Sequence, residues 1–280
     1  MDFFSLLLLL FVMGSAMQPM LQERALASKR ARKIAQIERE RGTRVITMIH
    51  REERRQLFSI PVARMIDMED AQDIIPAIQS TPPGKPIDLV LHTPGGLLLA
   101  AMQIARAVKA HPSKVTVHVP VYAMSGGTLI ALAADEIALE PFSVLGPIDP
   151  QIAGFPAVSF VEVKNQKPIE EVSDFTLVLA SMGEKALAQL KKDALDLVDD
   201  RVPMDQAERM VEALAGGRWT HDYALTAKEA KQLGLNVLDG IPASILELTS
   251  YYPQPVRQLP SVEFIPTSPR TAPMERDGRA

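Results

Sequence analysis

Residues 115–134 read VTVHVPVYAMSGGTLIALAA. The β-branched run Val115–Val121 predicts a strand, and the small-residue run beyond the two glycines predicts a helix. Ser125 stands at the turn between them, with Gly126 and Gly127 behind it. A hydroxyl at that point lies at the positive end of a helix, beside backbone N–H groups that lack helical partners. Two roles fit: an activated nucleophile and an ordinary helix N-cap. The stretch alone leaves both open.

Just upstream, residues 87–96 read IDLVLHTPGG, an apolar strand (Ile87–His92) running into a glycine turn. Residues 97–110, LLLAAMQIARAVKA, carry a helical pattern and connect it to the serine stretch. Strands alternating with helices predict βαβ units and a parallel sheet. Both strands are continuously apolar or β-branched, as strands covered on two faces should be. In an open α/β sheet, ligands sit at the C-terminal ends of the strands. The Thr93–Gly96 turn and the Met124–Gly126 turn both fall there. The N–H groups of Gly96 and Gly126 can then converge on one oxygen, as in an oxyanion hole, where a single donor is worth about 3 kcal/mol. The PGG motif by itself equally satisfies a tight strand-to-helix connection.

A chain of 280 residues holds one large domain or two small ones. Its charge of −4 leaves no basic footprint for nucleic acid. The lack of cysteine excludes disulfides, cysteine nucleophiles and thiolate metal sites. The five histidines show no HExxH spacing, so no metal site is expected.

Residues 3–17, FFSLLLLLFVMGSAM, are apolar or small throughout. Extended to Leu21, the run approaches the roughly 20 residues of a bilayer-spanning helix. Gly14 and Ala16 also suit a signal-peptidase site, yet the start carries Asp2 and no Lys or Arg. Basic residues follow instead at Arg24, Lys29, Arg30, Arg32 and Lys33, which places what comes after them on the cytoplasmic side. The expected organisation is a transmembrane anchor over 1–21, a charge-dense juxtamembrane helix over 22–44, a globular domain over 45–250 and a disordered tail over 251–280.

Within the domain, residues 44–52 predict a strand with a hairpin partner over Gln56–Ile60. Residues 67–79 predict a helix capped by Asp67 and bent or ended by Pro76. Residues 155–164 predict a short strand, and 168–197 and 205–214 predict helices. Thr226 and Glu229 form the capping box of a helix over 225–233. Residues 235–241, LNVLDGI, predict a last strand.

Four segments, IDLVLHTPGG, VYAMSGGTLIALAADEI, LGPIDP and LTAKEAKQLGLNV, resemble the Clp-protease/crotonase superfold in order and spacing. The chain is similar above all to the membrane-linked serine proteases of that superfold: signal peptide peptidase A, the stomatin-operon protease and the family labelled serine dehydrogenase proteinase. The resemblance spans roughly His50 to Ile241 and implies an α/β fold of stacked βαβ units. It also implies roles. Ser125 matches the nucleophile, and Gly96 and Gly126 match the oxyanion donors. The turn that carries the histidine base in Clp protease is here GPIDPQ, with Asp149 in place of a histidine. The Clp aspartate corresponds to Asp222, just before ALTAKEA. The membrane-linked relatives use a lysine base, and Lys167 fits its position, with Lys164 as a second choice. A lysine can act so only where burial or a nearby cation lowers its pKa. His221, two residues beyond Trp219, is either another base or a structural histidine beside that tryptophan.

The resemblance thus implies a membrane-anchored serine endopeptidase with a Ser125–Lys167 dyad, a peptide or protein substrate, no cofactor and a homo-oligomeric assembly. Two other classes stand beside it. One is an inactive Clp-fold scaffold or binding protein, motivated by the missing histidine. The other is a crotonase-like acyl-CoA enzyme, which shares the paired N–H groups.

Overall fold

The computed structural model describes residues 3–50, 52–54, 61–198 and 201–252; of residues 3–16, 19, 52–54 and 61–63 it describes the backbone alone. The chain opens with helix α1 (Phe3–Arg41), strands β1 (Arg44–Ile49), β2 (Glu52–Arg54) and β3 (Pro61–Ala63), and helix α2 (Met68–Gln79). Next come β4 (Ile87–His92), α3 (Leu98–Ala110), β5 (Val115–Val119), β6 (Tyr122–Ala123), α4 (Gly126–Leu132), β7 (Glu136–Leu139) and β8 (Val144–Leu145). The remainder comprises β9 (Gln151–Ile152), β10 (Phe155–Pro156), α5 (Ala157–Gln166), α6 (Asp174–Val198), α7 (Met204–Ala215), β11 (Leu225–Thr226), α8 (Ala227–Gln232), β12 (Val237–Asp239) and α9 (Ala243–Ser250).

The central sheet has the order β1-β4-β5-β7-β12, and every pairing in it is parallel. Side chains alternate across a strand, so β4 serves two cores at once. Leu89 and Leu91 join Val117, Val119 and Leu139 in the large core with α2, α3, α4, α6 and α7. Val90 and Ala138 face the other way, against Ile37 of α1 and Ile245 and Leu248 of α9. A second small sheet, β11-β8-β6, continues from the end of β5 and carries the chain past the serine turn.

The α1 helix spans both of the expected N-terminal segments. It is continuous from Phe3 to Arg41, so the anchor and juxtamembrane segments are not separate elements. Its C-terminal end belongs to the body, since Ile37 is fully buried and Arg41 holds buried Asp88 through two bonds of 2.6 and 3.1 Å. Thr43 and His118 also donate to that carboxylate. Burial opposes the charge, yet the bonds from His118, Arg41 and Thr43 hold Asp88 far below the usual carboxylate range. Among the described residues, no helix is long and apolar enough to cross a membrane. The side chains of the apolar run at 3–16 lie outside those residues, as does the tail from 253.

Other expectations shift locally. The strand expected over 44–52 stops at Ile49, and Glu52–Arg54 pairs instead with Pro61–Ala63; residues 55–60 lie outside the described residues. The α2 helix has the Asp67 cap, completed by Asp70, and runs through Pro76 to Gln79. Pro76 deprives the Gln72 carbonyl of its helical donor, and both residues lie on the exposed side of the helix, where that loss costs least. The largest difference is at 155–164, where a strand was expected and α5 forms. Val158 and Val161 sit three apart and pack at helical spacing. A Cβ added at Gly183 of α6 would lie 2.8 Å from Ala157 O and 3.4 Å from Val161 Cγ2, and one at Gly217 would lie 3.1 Å from Val158 Cβ. Tertiary packing against those two glycines overrides the β preference of the valines. The α9 helix, not foreseen, closes the face that α1 covers.

Candidate active site

The two turns foreseen at the ends of β4 and β5 are stitched together. Thr93 N donates to Tyr122 O (3.2 Å), and Met124 N donates to Thr93 O (3.0 Å). Gly95 has φ +99, and a Cβ there would lie 2.7 Å from Ser125 Cβ and 2.8 Å from Met124 O. Only a bare Cα lets the first turn come this close to the serine. The segment before α2 clamps it from the other side: Ile66 N donates to Gly95 O (2.7 Å), and Leu97 N donates to Ile66 O (2.8 Å). The two turns meet at their amides, since a Cβ on Gly126 would lie 3.7 Å from Gly96 N. Neither the Gly96 nor the Gly126 N–H has an acceptor among the described residues. They are two adjacent, unspent donors beside Ser125.

Ser125 itself has φ 50 and ψ −115, and its side chain caps nothing. A non-glycine residue held there costs about 1–3 kcal/mol. The N-cap reading therefore fails: a capping serine has extended backbone and gives its oxygen to the helix. Here the hydroxyl has no partner among the described residues. The strand-to-helix turn lifts it out of the backbone, as a nucleophile elbow does.

Ser125, Gly96 and Gly126 open into a cavity of about 1080 Å³. Its walls are largely apolar, including Leu97, Leu98, Leu129, Ile148, Ile152 and Leu190. Asp149 and His221 line the same cavity. Asp149 comes from the turn between β8 and β9, fixed by Ile148 N donating to Leu214 O (2.9 Å). His221 comes from the loop between α7 and β11. Its Nδ1 lies 2.8 Å from Asp149 Oδ1, and Gln151 Nε2 donates to the other oxygen at 2.6 Å. The Asp149 side chain is 1% exposed and His221 is 35% exposed. The carboxylate only accepts, so the proton sits on Nδ1 and leaves Nε2 as the basic nitrogen. The Asp149 bond raises the His221 pKa against the opposing effect of burial, and the charges of Asp149 and Asp222 add to the rise.

The cavity thus gathers Ser125, Gly96, Gly126, Asp149 and His221 and leaves out the two lysines. Lys167 is exposed at the end of α5, and Lys164 pairs with Glu184 at 2.7 Å. Asp222 is exposed and acts on His221 by charge alone. Trp219 stacks on Tyr223, with centroids 5.0 Å apart, and not on His221. His92 packs on Tyr122 (4.2 Å), and burial pushes its imidazole down. Among the described residues no group of three His, Asp or Glu side chains forms a metal site. Sequence reasoning named both His221 and Asp149 but not their bond, which joins loops 72 residues apart.

Residues 1–279 match the family described as ClpP-like SDH-type serine proteinase. The chain belongs to that family. It is a serine protease with the Clp-like α/β fold and its parallel sheet. Two uncharacterized proteins of Methanocaldococcus jannaschii are similar to this SDH-type proteinase. One is 47% identical over 250 residues, covering 89% of this chain and 87% of the relative. The other is 46% identical over 266 residues, covering 95% and 89%. Among solved structures, an alanine mutant of the 1510-N membrane-bound stomatin-specific protease is 20% identical with a TM-score of 0.44, over 66% of this chain and 79% of that one. ClpP1 of Listeria monocytogenes is 15% identical with a TM-score of 0.45, over 74% and 98%.

Proposed function

We propose that this SDH-type proteinase is an endopeptidase whose nucleophile is Ser125 and whose base is His221, oriented by Asp149. Ser125 Oγ attacks the peptide carbonyl as its proton passes to His221 Nε2. The carbonyl oxygen, now negative, accepts from the N–H groups of Gly96 and Gly126. His221 returns the proton to the leaving amine, and water, deprotonated by the same nitrogen, resolves the acyl-enzyme. The observation that carries this reading is the bonded Asp149–His221 pair lining one cavity with an uncapped serine. The exposed position of Lys167 favours His221 over the lysine as base.

Fluorophosphonate labelling of the full chain tests it. Labelling should vanish in Ser125→Ala, fall steeply in His221→Ala and persist in Lys167→Ala. Loss in Lys167→Ala with persistence in His221→Ala would transfer the base to the lysine.

Two further features belong to the proposal. The apolar run at 3–17 with basic residues after it supports a membrane anchor, which retention in carbonate-washed membranes tests. Phe175, Val178 and Met182 lie exposed at helical spacing on α6 and support self-association, which light scattering tests.

A further inference from the structure

His50 follows β1, is 6% exposed, and lies behind the first glycine turn without lining the serine cavity. We propose that His50 is a positioning residue for the oxyanion donors, holding the Thr93–Gly96 turn through the Thr93 hydroxyl. The inference rests on the oxyanion role given above to Gly96.

The polarity of the contacts follows from what each partner can donate or accept. His50 Nε2 lies 3.2 Å from Asp70 Oδ2, which also accepts from Asp67 N (2.9 Å) in the cap of α2. Burial resists the charge on Asp70, but the bonds from His50 and Asp67 keep its carboxyl below the ordinary range, so Asp70 only accepts. Nε2 therefore carries the ring proton, and in the neutral ring Nδ1 accepts from Thr93 Oγ1 at 2.7 Å. The other acceptor within reach of that hydroxyl, Gly95 O, lies farther off at 3.5 Å and also accepts from Ile66 N, so the shorter contact to His50 is the stronger one. Thr93 Oγ1 in turn accepts from Gly95 N (3.1 Å).

The consequence falls on one peptide plane. Gly95 at φ +99 flanks the Gly95–Gly96 peptide, and a glycine gives that plane freedom to flip. A flip would turn the Gly96 N–H away from Ser125. Two contacts oppose it: Ile66 N holds the Gly95 carbonyl of that plane directly, and Thr93 Oγ1 holds Gly95 N, which fixes the preceding Pro94–Gly95 plane about which Gly95 would turn. His50 fixes the second by holding the threonine rotamer.

The test is peptide hydrolysis, with melting temperature measured in parallel, for His50→Leu, His50→Asn, Thr93→Val and Thr93→Ser. An asparagine keeps an acceptor near the Nδ1 position, and a serine keeps the hydroxyl. His50→Leu and Thr93→Val should lower kcat about 10- to 100-fold, with KM held within about twofold, because a displaced donor acts on the transition state. Thr93→Ser should stay near wild type and His50→Asn should fall between. Unchanged kcat in folded His50→Leu, with wild type labelled at Ser125 by fluorophosphonate, overturns this inference alone. An unlabelled wild type overturns the proposed mechanism as well. Should the variants not fold, the ¹⁵N side-chain spectrum of wild-type His50 decides: protonated Nε2 with an accepting Nδ1 supports the inference, and the opposite tautomer overturns it.

Discussion

Replacing Gly96 by alanine tests the oxyanion geometry most directly. A Cβ at this position would overlap the backbone N and O of Ile66 and lie 2.8 Å from its Cα. Carbon atoms need about 3.5 Å or more, so one side must retreat by at least about 0.7 Å. Neither side can yield cheaply, because the obstacle is backbone rather than the tip of a flexible side chain. Ile66 is also tied to this turn by two bonds, from Ile66 N to Gly95 O and from Leu97 N to Ile66 O. Loosening both costs about 1 kcal/mol each in stability. The larger effect falls on rate, since moving the Gly96 N–H by most of an ångström amounts to losing one oxyanion donor, about 10²–10³ in kcat. The assays are fluorophosphonate labelling and peptide turnover, with thermal unfolding to confirm the fold. Gly84→Ala is the control: φ is +88, nothing lies within 4 Å, and the site is remote, so stability should fall without loss of turnover. A folded Gly96→Ala protein with wild-type labelling and kcat would refute the assignment of Gly96 as a donor.

The pH profile tests the His221–Asp149 pair. A base works when neutral, so the acid limb of labelling should lie above the ordinary histidine value of about 6.5. Asp149→Asn should move that limb to lower pH and lower its plateau; an unmoved limb counts against the pair. In stability the raised His221 pKa acts the other way. Its contribution is full below about pH 6.5 and is lost as pH rises through the folded value, so Asp149→Asn should destabilise more at pH 5.5 than at pH 8.5. Lys167→Ala should keep turnover within about twofold, because exposed surface positions tolerate truncation; a large loss would return the base to the lysine. Asp88→Ala should cost about 3 kcal/mol or more in urea unfolding, because it strands His118 and Arg41 around a buried gap. A loss below about 1 kcal/mol would show that the cluster does not fasten α1 to the sheet.

The central fold was legible because its signals are local. The apolar runs of β4 and β5, the glycine turns after them and the Thr226 cap all announce themselves within a few residues. The site was legible to the same extent: Ser125, Gly96 and Gly126 sit where two such turns end. What the sequence left open shares a physical cause. Helix α5 carries valines that favour strands, and its packing against α6 and the close approach of Gly183 and Gly217, far along the chain, favour the helix. Lys167 matched a spacing, but whether a lysine is buried depends on where the end of α5 falls in space. His50 showed no local pattern at all. Its importance comes from Thr93 and Asp70, which are brought to it by a neighbouring strand and helix.

The proposed base illustrates how a list of candidate residues can leave a mechanism open. The resemblance to Clp protease places a histidine in the turn that holds Asp149 and an aspartate near the start of ALTAKEA, where His221 precedes Asp222. Read position by position, the first substitution removes the base and leaves half a triad. Read in space, the two loops meet beside one cavity, and an acid on one with an imidazole on the other forms a bonded pair there. What the chemistry requires is a carboxylate that orients Nδ1 and an Nε2 directed at the cavity, and it is indifferent to which loop supplies which. Burial fits the proposed roles: the 1% exposed side chain is the carboxylate, held by Gln151 and His221, and the more open one is the imidazole, which the proposal has exchanging protons with substrate and water. A lysine base would instead need the desolvation that the exposed end of α5 does not provide.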